Sequence, residues 1–262
     1  MSRVVVKLGG HALDGLTPDS PVLCDLANDV TALGAVGTRV VVVHGGGPQI
    51  AALLAAVGLE SRFEQGLRVT DPETMGYVAM ALAGVNLHVV AALNAAGLSS
   101  VGLCGADDSV VRATSLGPPW ERAGGDVRVR GEVLTELWQN AQTPVLSSIA
   151  VDDGGRLLNC NADTVAGAVA GALGATLVLL SDVDQLRAAL DDGDSALATV
   201  TGARIHELIG VGAVRNGMLP KMTAALDALG GGARAVVLAN GTRRHALRDA
   251  LARSIPTTEV LP

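Results

Sequence analysis
Short runs of valine and leucine alternate along this chain with longer stretches rich in alanine and leucine, and that alternation limits the fold more than any other feature. The clearest short runs are Val4–Val6, Arg39–Val43, Pro144–Ser148, Leu177–Leu180 and Ala235–Leu238. Each is about strand length and apolar on both faces, as strands of a covered parallel sheet are. Between them, Cys24–Leu33, Gln49–Val57, Pro72–Ala96, Asp163–Leu173 and Lys221–Leu229 read as helices. The alternation predicts an α/β sandwich. Of 262 residues, 49% are hydrophobic but only two Trp, one Tyr and one Phe are aromatic, so the core must be aliphatic. That length supports a sizeable core, in one large domain or two lobes. Ser109–Thr114 and Asp126–Arg130 alternate more nearly polar and apolar, and the segment Gly117–Gly125 between them predicts a long-looped β-hairpin.

Charge and cysteine usage remove several classes. With 19 Lys+Arg against 26 Asp+Glu the net charge is −7, and charged residues are 17% of the chain. Disorder needs low hydrophobicity and high charge. Nucleic-acid binding usually shows a basic surface and aromatic platforms. Neither pattern fits, so no nucleic-acid partner is expected. Cys24, Cys104 and Cys160 form no CxxC pair and no even framework, which fits a reducing, cytoplasmic location. Lys7 cuts the N-terminal apolar run too early for a signal peptide. Val165–Leu180, taken as the longest uncharged apolar stretch, falls short of the roughly 20 residues a spanning helix needs. It reads instead as a small-residue helix, a stop at Gly174, then a buried strand, and no membrane association is expected. The acidic run Asp191-Asp192-Gly193-Asp194 reads as a solvated turn rather than a metal site.

Two glycine clusters close two of the strands: Lys7-Leu8-Gly9-Gly10 and His44-Gly45-Gly46-Gly47-Pro48. Glycine at a strand end lets backbone N–H groups approach an anion. Pro48 suits the first turn of a helix, whose positive end would face the loop. Two such loops at strand C-termini, one carrying a lysine, point to phosphate or carboxylate binding. No GxxxxGK[ST], no GxGxxG opening a first helix and no GxSxG is present. His11, His44, His88, His206 and His245 show no zinc spacing, so no metal site of the protein's own is expected. A divalent ion would arrive with a nucleotide. Three further segments hold unusual chemistry. In Gly66-Leu67-Arg68-Val69-Thr70-Asp71, Arg68 offers a fork for a carboxylate. In Asn159-Cys160-Asn161-Ala162-Asp163, Asp163 reads as a helix N-cap, while two asparagines on one side of an extended segment exceed what capping needs. Lys221 stands at a helix start, against the helix dipole, where an anion partner would remove the conflict.

In their order, these segments resemble the amino-acid kinase family, together with Pro144–Ile149, Leu179-Leu180-Ser181-Asp182-Val183 and Gly217-Met218-Leu219-Pro220-Lys221. The likeness spans nearly the whole chain. GLRVTD and N-x-N-A-D are similar to the branch acting on N-acetyl-L-glutamate. The resemblance implies ATP-dependent phosphorylation of that substrate's γ-carboxylate, in arginine biosynthesis. It implies an open αβα sandwich with a mainly parallel central sheet and two lobes, 1–174 for the acyl amino acid and dimerisation, 175–262 for ATP and its Mg²⁺. By position, Gly45, Gly46, Arg68, Asn159 and Asn161 would hold the substrate. Lys7 and Lys221 would stabilise the transferring phosphoryl group, with Asp163 orienting both. Gly9, Gly10, Ser181, Asp182, Val183, Leu186, Ala213, Arg215 and Gly217 would line the nucleotide site. A carboxylate nucleophile, with an ordinary pKa of about 4.3, needs no general base, so positioning and charge stabilisation suffice.

The chain departs from the family pattern in places. Where relatives commonly read Gly-Lys-x-Asn-Lys, it reads Ala83-Gly84-Val85-Asn86-Leu87-His88, without either lysine. Asp184-Gln185-Leu186 lacks a glycine that many relatives carry. The first strand starts by Val4, leaving no room for the N-terminal helix of arginine-inhibited relatives, so a homodimer is expected. Nothing in the sequence assigns a PII-type partner. A carrier-linked aminoadipate kinase would want a basic groove for its acidic carrier, against a net charge of −7. A non-catalytic nucleotide-sensing module would be expected to lose Lys7, Lys221 or Asp163.

Overall fold
Stiff β-branched side chains favour the extended backbone, and the aliphatic runs become the middle of one sheet. The computed structural model describes residues 2–9, 13, 15, 17, 20–189, 193–215 and 217–261. Gly10, His11, Asn216 and the Asp191-Asp192 pair lie outside the described residues. In chain order the strands are β1 (Arg3–Leu8), β2 (Arg39–His44), β3 (Phe63–Glu64), β4 (Leu67–Arg68), β5 (Ser100–Leu103), β6 (Val111–Gly117), β7 (Glu121–Val129), β8 (Thr143–Ser147), β9 (Ile149–Val151), β10 (Leu157–Cys160), β11 (Thr176–Ser181), β12 (Leu186–Arg187), β13 (Ala196–Leu197), β14 (Thr199–Thr201), β15 (Ala235–Asn240) and β16 (Thr257–Leu261). The helices are α1 (Pro21–Ala35), α2 (Gly47–Ala56), α3 (Pro72–Ala95), α4 (Gly131–Gln139), α5 (Ala162–Leu173), α6 (Gly202–Gly210), α7 (Met218–Gly230) and α8 (Ala246–Leu251).

The main sheet runs β14-β16-β15-β11-β1-β2-β8-β5. Its pairings are parallel except β15 with β16. Val4, Val6 and Leu8 pack with α1, α3 and α8 on one face, while Val5 packs with α4, α5, α6 and α7 on the other. This is the expected αβα sandwich, and burial on both faces explains why these strands show no polar alternation. Trp138 of α4 is buried, and its Nε1–H donates to Val40 O at 2.9 Å.

α5 ends at Gly174, in the left-handed region at φ 56°, and β11 follows, as the small-residue stretch implied. Gly171 lets α5 lie against the end of α7, since a Cβ there would come 2.6 Å from Gly231 O. The expected long hairpin loop is corrected. β6 and β7 pair antiparallel through Gly117 and Glu121, so most of 117–125 is strand. Gly124 is strand because its bare Cα admits the Cys160 sulfur, which would lie 2.6 Å from any Cβ. β10, β7, β6 and β9 close on one another beside the end of β8. The apolar-stretch reading is corrected too: α3, with 24 residues, is long and apolar enough to cross a membrane by length and composition. Met75, Val78, Leu82, Val85, Val89, Ala92 and Leu93 of α3 are buried in the protein.

Candidate active site
A cavity of about 360 Å³ opens at the C-terminal ends of β1 and β2, between α2, β4, β10 and the start of α5. Lys7, Gly45, Gly46, Arg68, Asn159, Asn161 and Asp163 all line it. β1 delivers Lys7, which is buried, and its Nζ lies 2.8 Å from Oδ1 of the equally buried Asp163. Asp163 is not the helix cap that its position suggested. Asn161 caps α5, its Oδ1 accepting from the N–H groups of Asp163 (2.7 Å) and Thr164 (3.4 Å). That cap turns the Asp163 side chain back over β1, where it meets the lysine.

The glycine loop rests on a support that sequence reasoning missed. His44 is fully buried, and burial pushes its imidazole down to about 4, so it is neutral at physiological pH. Nδ1–H donates to Gly45 O at 2.8 Å, and Nε2 accepts from Asn86 Nδ2 at 2.9 Å. Asn86 also donates to Val145 O at 3.0 Å. The departure segment on α3 therefore holds the loop from beneath through its asparagine, while Leu87 points to solvent, 70% exposed. Gly46 has no room for a side chain, because a Cβ would come 2.9 Å from Leu82 Cδ2. The first turn of α2 has no side-chain cap, which leaves its N–H groups available to an anion.

Arg68 is buried, and burial pulls its guanidinium below the usual value without discharging it. It bonds Ser61 Oγ, donates to Gly47 O at 3.3 Å and stacks 4.6 Å from the Phe63 ring centroid. Asn159 Nδ2 donates to Thr70 Oγ1 at 3.1 Å, and Thr70 Oγ1 donates to Arg68 O at 2.9 Å. Thr70, a member of the Gly66–Asp71 segment whose part sequence reasoning left unassigned, thus ties the two polar walls together. The β3–β4 hairpin overhangs the cavity, and Trp120, beyond β6, donates from Nε1 to Glu64 O at 3.2 Å.

The residues expected to bind nucleotide are only partly assembled. Asp182, Val183, Leu186 and Ala213 line a second cavity of about 520 Å³, with Asp184, Gln185, Arg187, Ala196, Met218 and Pro256. Ser181, Gly9, Arg215 and Gly217 do not line it. Gly9 packs on the end of β11, where a Cβ would come 3.0 Å from Leu180 O. The Asp184–Gln185 departure is explained by partners of its own. Arg243 Nε donates to Asp184 Oδ1 at 2.8 Å and holds that carboxyl below its ordinary range, and Gln185 Nε2 donates to Thr257 O at 2.9 Å. Lys221 does not reach Asp163. Its Nζ donates to Gly217 O at 3.3 Å. Among the described residues the ion-pair partner of Asp163 is Lys7 alone. The start of α7 nevertheless stands between the cavities, with Met218 lining the second and Pro220 beside Gly66 of the first. Among the described residues no group of three or more His, Cys, Asp or Glu is arranged to hold a metal ion.

A parallel sheet flanked by helices, with a glycine loop and a lysine–aspartate pair at its C-terminal end, is matched by the amino acid kinase family model over residues 2–240. The chain belongs to the amino acid kinase family. It is 43% identical over 259 residues to the acetylglutamate kinase of Deinococcus radiodurans, covering 99% of this chain and 100% of that one. It is 41% identical over 247 residues to the acetylglutamate kinase of Nostoc sp. (strain PCC 7120), covering 93% of this chain and 82% of that one. Among solved structures it is similar to smu.665 of Streptococcus mutans UA159, at a TM-score of 0.80 and 30% identity, over 91% of this chain and 94% of that one.

Proposed function
We propose that this chain phosphorylates the γ-carboxylate of N-acetyl-L-glutamate with ATP, the acetylglutamate kinase reaction of arginine biosynthesis. The observation that carries the mechanism is the buried Lys7–Asp163 pair at the head of a cavity walled by Arg68 and the glycine loop. The substrate carboxylate is ionised at neutral pH, so no base is required. His44 is buried beneath the loop and neutral, with both ring nitrogens engaged, and takes no proton from substrate. Arg68 grips the substrate's α-carboxylate, and Asn159 and Asn161 orient the acyl amide. The N–H groups of Gly45 and Gly46, with Lys7, neutralise the transferring phosphoryl group, and Asp163 keeps Lys7 charged and fixed.

The nucleotide lies along Ser181, Asp182, Val183, Leu186 and Ala213, with Gly9, Gly10, Arg215 and Gly217 closing around its phosphates. The adenine pocket is aliphatic, since Val183, Leu186, Ala213 and Met218 line the second cavity and no aromatic side chain does. Lys221 swings from its resting contact on Gly217 O towards the phosphates as the lobes 1–174 and 175–262 close and exclude water. Mg²⁺ bound with ATP would neutralise phosphate charge. Asp163, the carboxylate lining the first cavity, is engaged by Lys7 and would leave most of the ion's ligands to phosphate and water oxygens.

The assembly is a homodimer in the cytoplasm. Its support is the outer face of α3, where Met80 and Leu87 are exposed at 57% and 70% beside the edge strand β5. An ADP-release assay with N-acetylglutamate, glutamate, aspartate and aminoadipate tests the reaction. Turnover with glutamate but not with its N-acetyl form would sink the assignment.

A further inference from the structure
At the opposite end of the sheet lies a cavity of about 620 Å³, larger than either cavity at the active site. It wraps under the starts of β1, β11 and β15. Lys7 lies four residues further along β1, about 13 Å away at the rise of an extended strand. The charged residues lining the cavity are Arg3, Arg234, Arg253 and Glu259. Glu259 is engaged by Arg253. Among the described residues neither Arg3 nor Arg234 has a carboxylate partner.

The sheet register aims these two arginines at a common space. Val4 pairs with Thr176 and Thr176 with Ala235, so Arg3 in β1 and Ala175 and Arg234 just ahead of β11 and β15 continue one row. That row lies on the face of the sheet that carries Val5 and α5. Two strand spacings place Arg3 and Arg234 about 10 Å apart, with only the alanine methyl between them. Arg39 extends the row, paired with Arg3 on β2. Arg3 is steadied by donating from Nη1 to Leu173 O at 2.8 Å, at the negative end of α5. Arg253 adopts φ 55° just past α8, a conformation that glycine takes most readily, and its guanidinium there neutralises Glu259.

We propose that this cavity is a second binding site, for a small organic phosphate clamped between Arg3 and Arg234. Two planar guanidinium forks match the oxygens of a phosphate dianion. Thr176, paired with Val4, lines the cavity from the other face of the sheet, because the cavity wraps round the sheet's end. The volume lies in the range of small-molecule pockets and exceeds what an inorganic ion fills. On that other face Leu33, Val237 and Leu251 form an apolar wall, which a carbon skeleton reaches by passing under the strand starts.

Phenyl phosphate, titrated calorimetrically into the native protein and its variants without nucleotide, tests this, with Lys7→Ala separating any share bound in the catalytic cleft. The expected dissociation constant for the native protein is on the order of 1 mM or tighter. Arg234→Met keeps the stem, removes the charge at an exposed position and should weaken binding about ten- to hundredfold, the range of a lost charged hydrogen bond. Arg3→Met should do the same, with circular dichroism confirming that both variants fold. Lys7→Ala should leave phenyl phosphate affinity unchanged, and benzoate should bind more weakly to the native protein. Equal affinity in the native and Arg234→Met proteins overturns the proposal. So does a loss in Lys7→Ala without a loss in Arg234→Met, equal binding of benzoate, or no binding at about 10 mM probe.

Discussion

The Lys7–Asp163 pair can be separated into its structural and catalytic parts by a double-mutant cycle with Lys7→Met and Asp163→Leu. The charges lie 2.8 Å apart with side-chain exposures of 10% and 8%. At an effective dielectric of about 20 their gross attraction is about 6 kcal/mol. Desolvation of both ions offsets most of it, so the net contribution of the pair to stability is small. Removing one partner is different, because the other charge stays buried and uncompensated. Each single variant should therefore lose about 3–5 kcal/mol in urea unfolding followed by circular dichroism. Independent effects would sum to about 6–10 kcal/mol. The double variant, with two apolar side chains in place of the pair, should fall within about 2 kcal/mol of the native protein. Turnover should not recover with stability, because the double variant, like Lys7→Met, lacks the cation that meets the phosphoryl group, and Asp163→Leu leaves that cation unfixed. Loss of one such preorganised donor costs about 10²–10³ in kcat. Additive destabilisation in the double variant, or single variants as stable as the native protein, would refute the coupling.

Other outcomes follow from the same geometry. Lys221→Ala should lower kcat far more than it raises KM, since the resting lysine contacts only its own helix and acts in the transition state; the opposite split in steady-state kinetics would make it a binding residue. His44 has its imidazole pushed down to about 4 by burial, against about 6.5 when unfolded. Between these values the unfolded chain takes up a proton that the folded chain refuses, so this contribution is complete above about pH 6.5 and fades as pH falls towards 4. Urea midpoints across that window should show the slope, and a flat profile refutes it. Cys160 has its thiol pushed up to about 12 by burial, so iodoacetamide at neutral pH should label it only after unfolding, as read by peptide mass spectrometry.

How much of this was readable in the residues depends on how each element is buried. β1, β2, β8, β11 and β15 are covered on both faces and carry uninterrupted aliphatic runs, so their positions and the sandwich followed directly. The alternation over Asp126–Arg130 revealed the second half of β7, but its first half was hidden because Gly124 and Gly125 look like loop, and only the closeness of Cys160 to the one and Leu116 to the other explains glycine there. The edge strand β14 and its neighbour β16 are short and partly polar, with no run to find. Lys7, Arg68 and Asn159 were visible because charge or amides in apolar surroundings are costly without a purpose. Thr70 and Asn86 were not, since their roles rest on hydrogen bonds across 89 and 42 residues of chain, to Asn159 and His44. Asp163 showed the limit of local rules: a cap position two residues earlier, at Asn161, released it for Lys7.

The scarcity of aromatic residues leaves the protein with two tryptophans, in usefully different places. Trp138 is locked in the core by its bond to Val40 O, so its emission should stay blue-shifted until the whole sheet comes apart. Trp120 is tethered to Glu64 of the hairpin that overhangs the substrate cavity. Its emission should shift when N-acetylglutamate orders that hairpin, while Trp138 stays silent. A Trp138→Phe protein would thus report occupancy of the first cavity optically, without an added label, and a Trp120→Phe protein would report global unfolding alone.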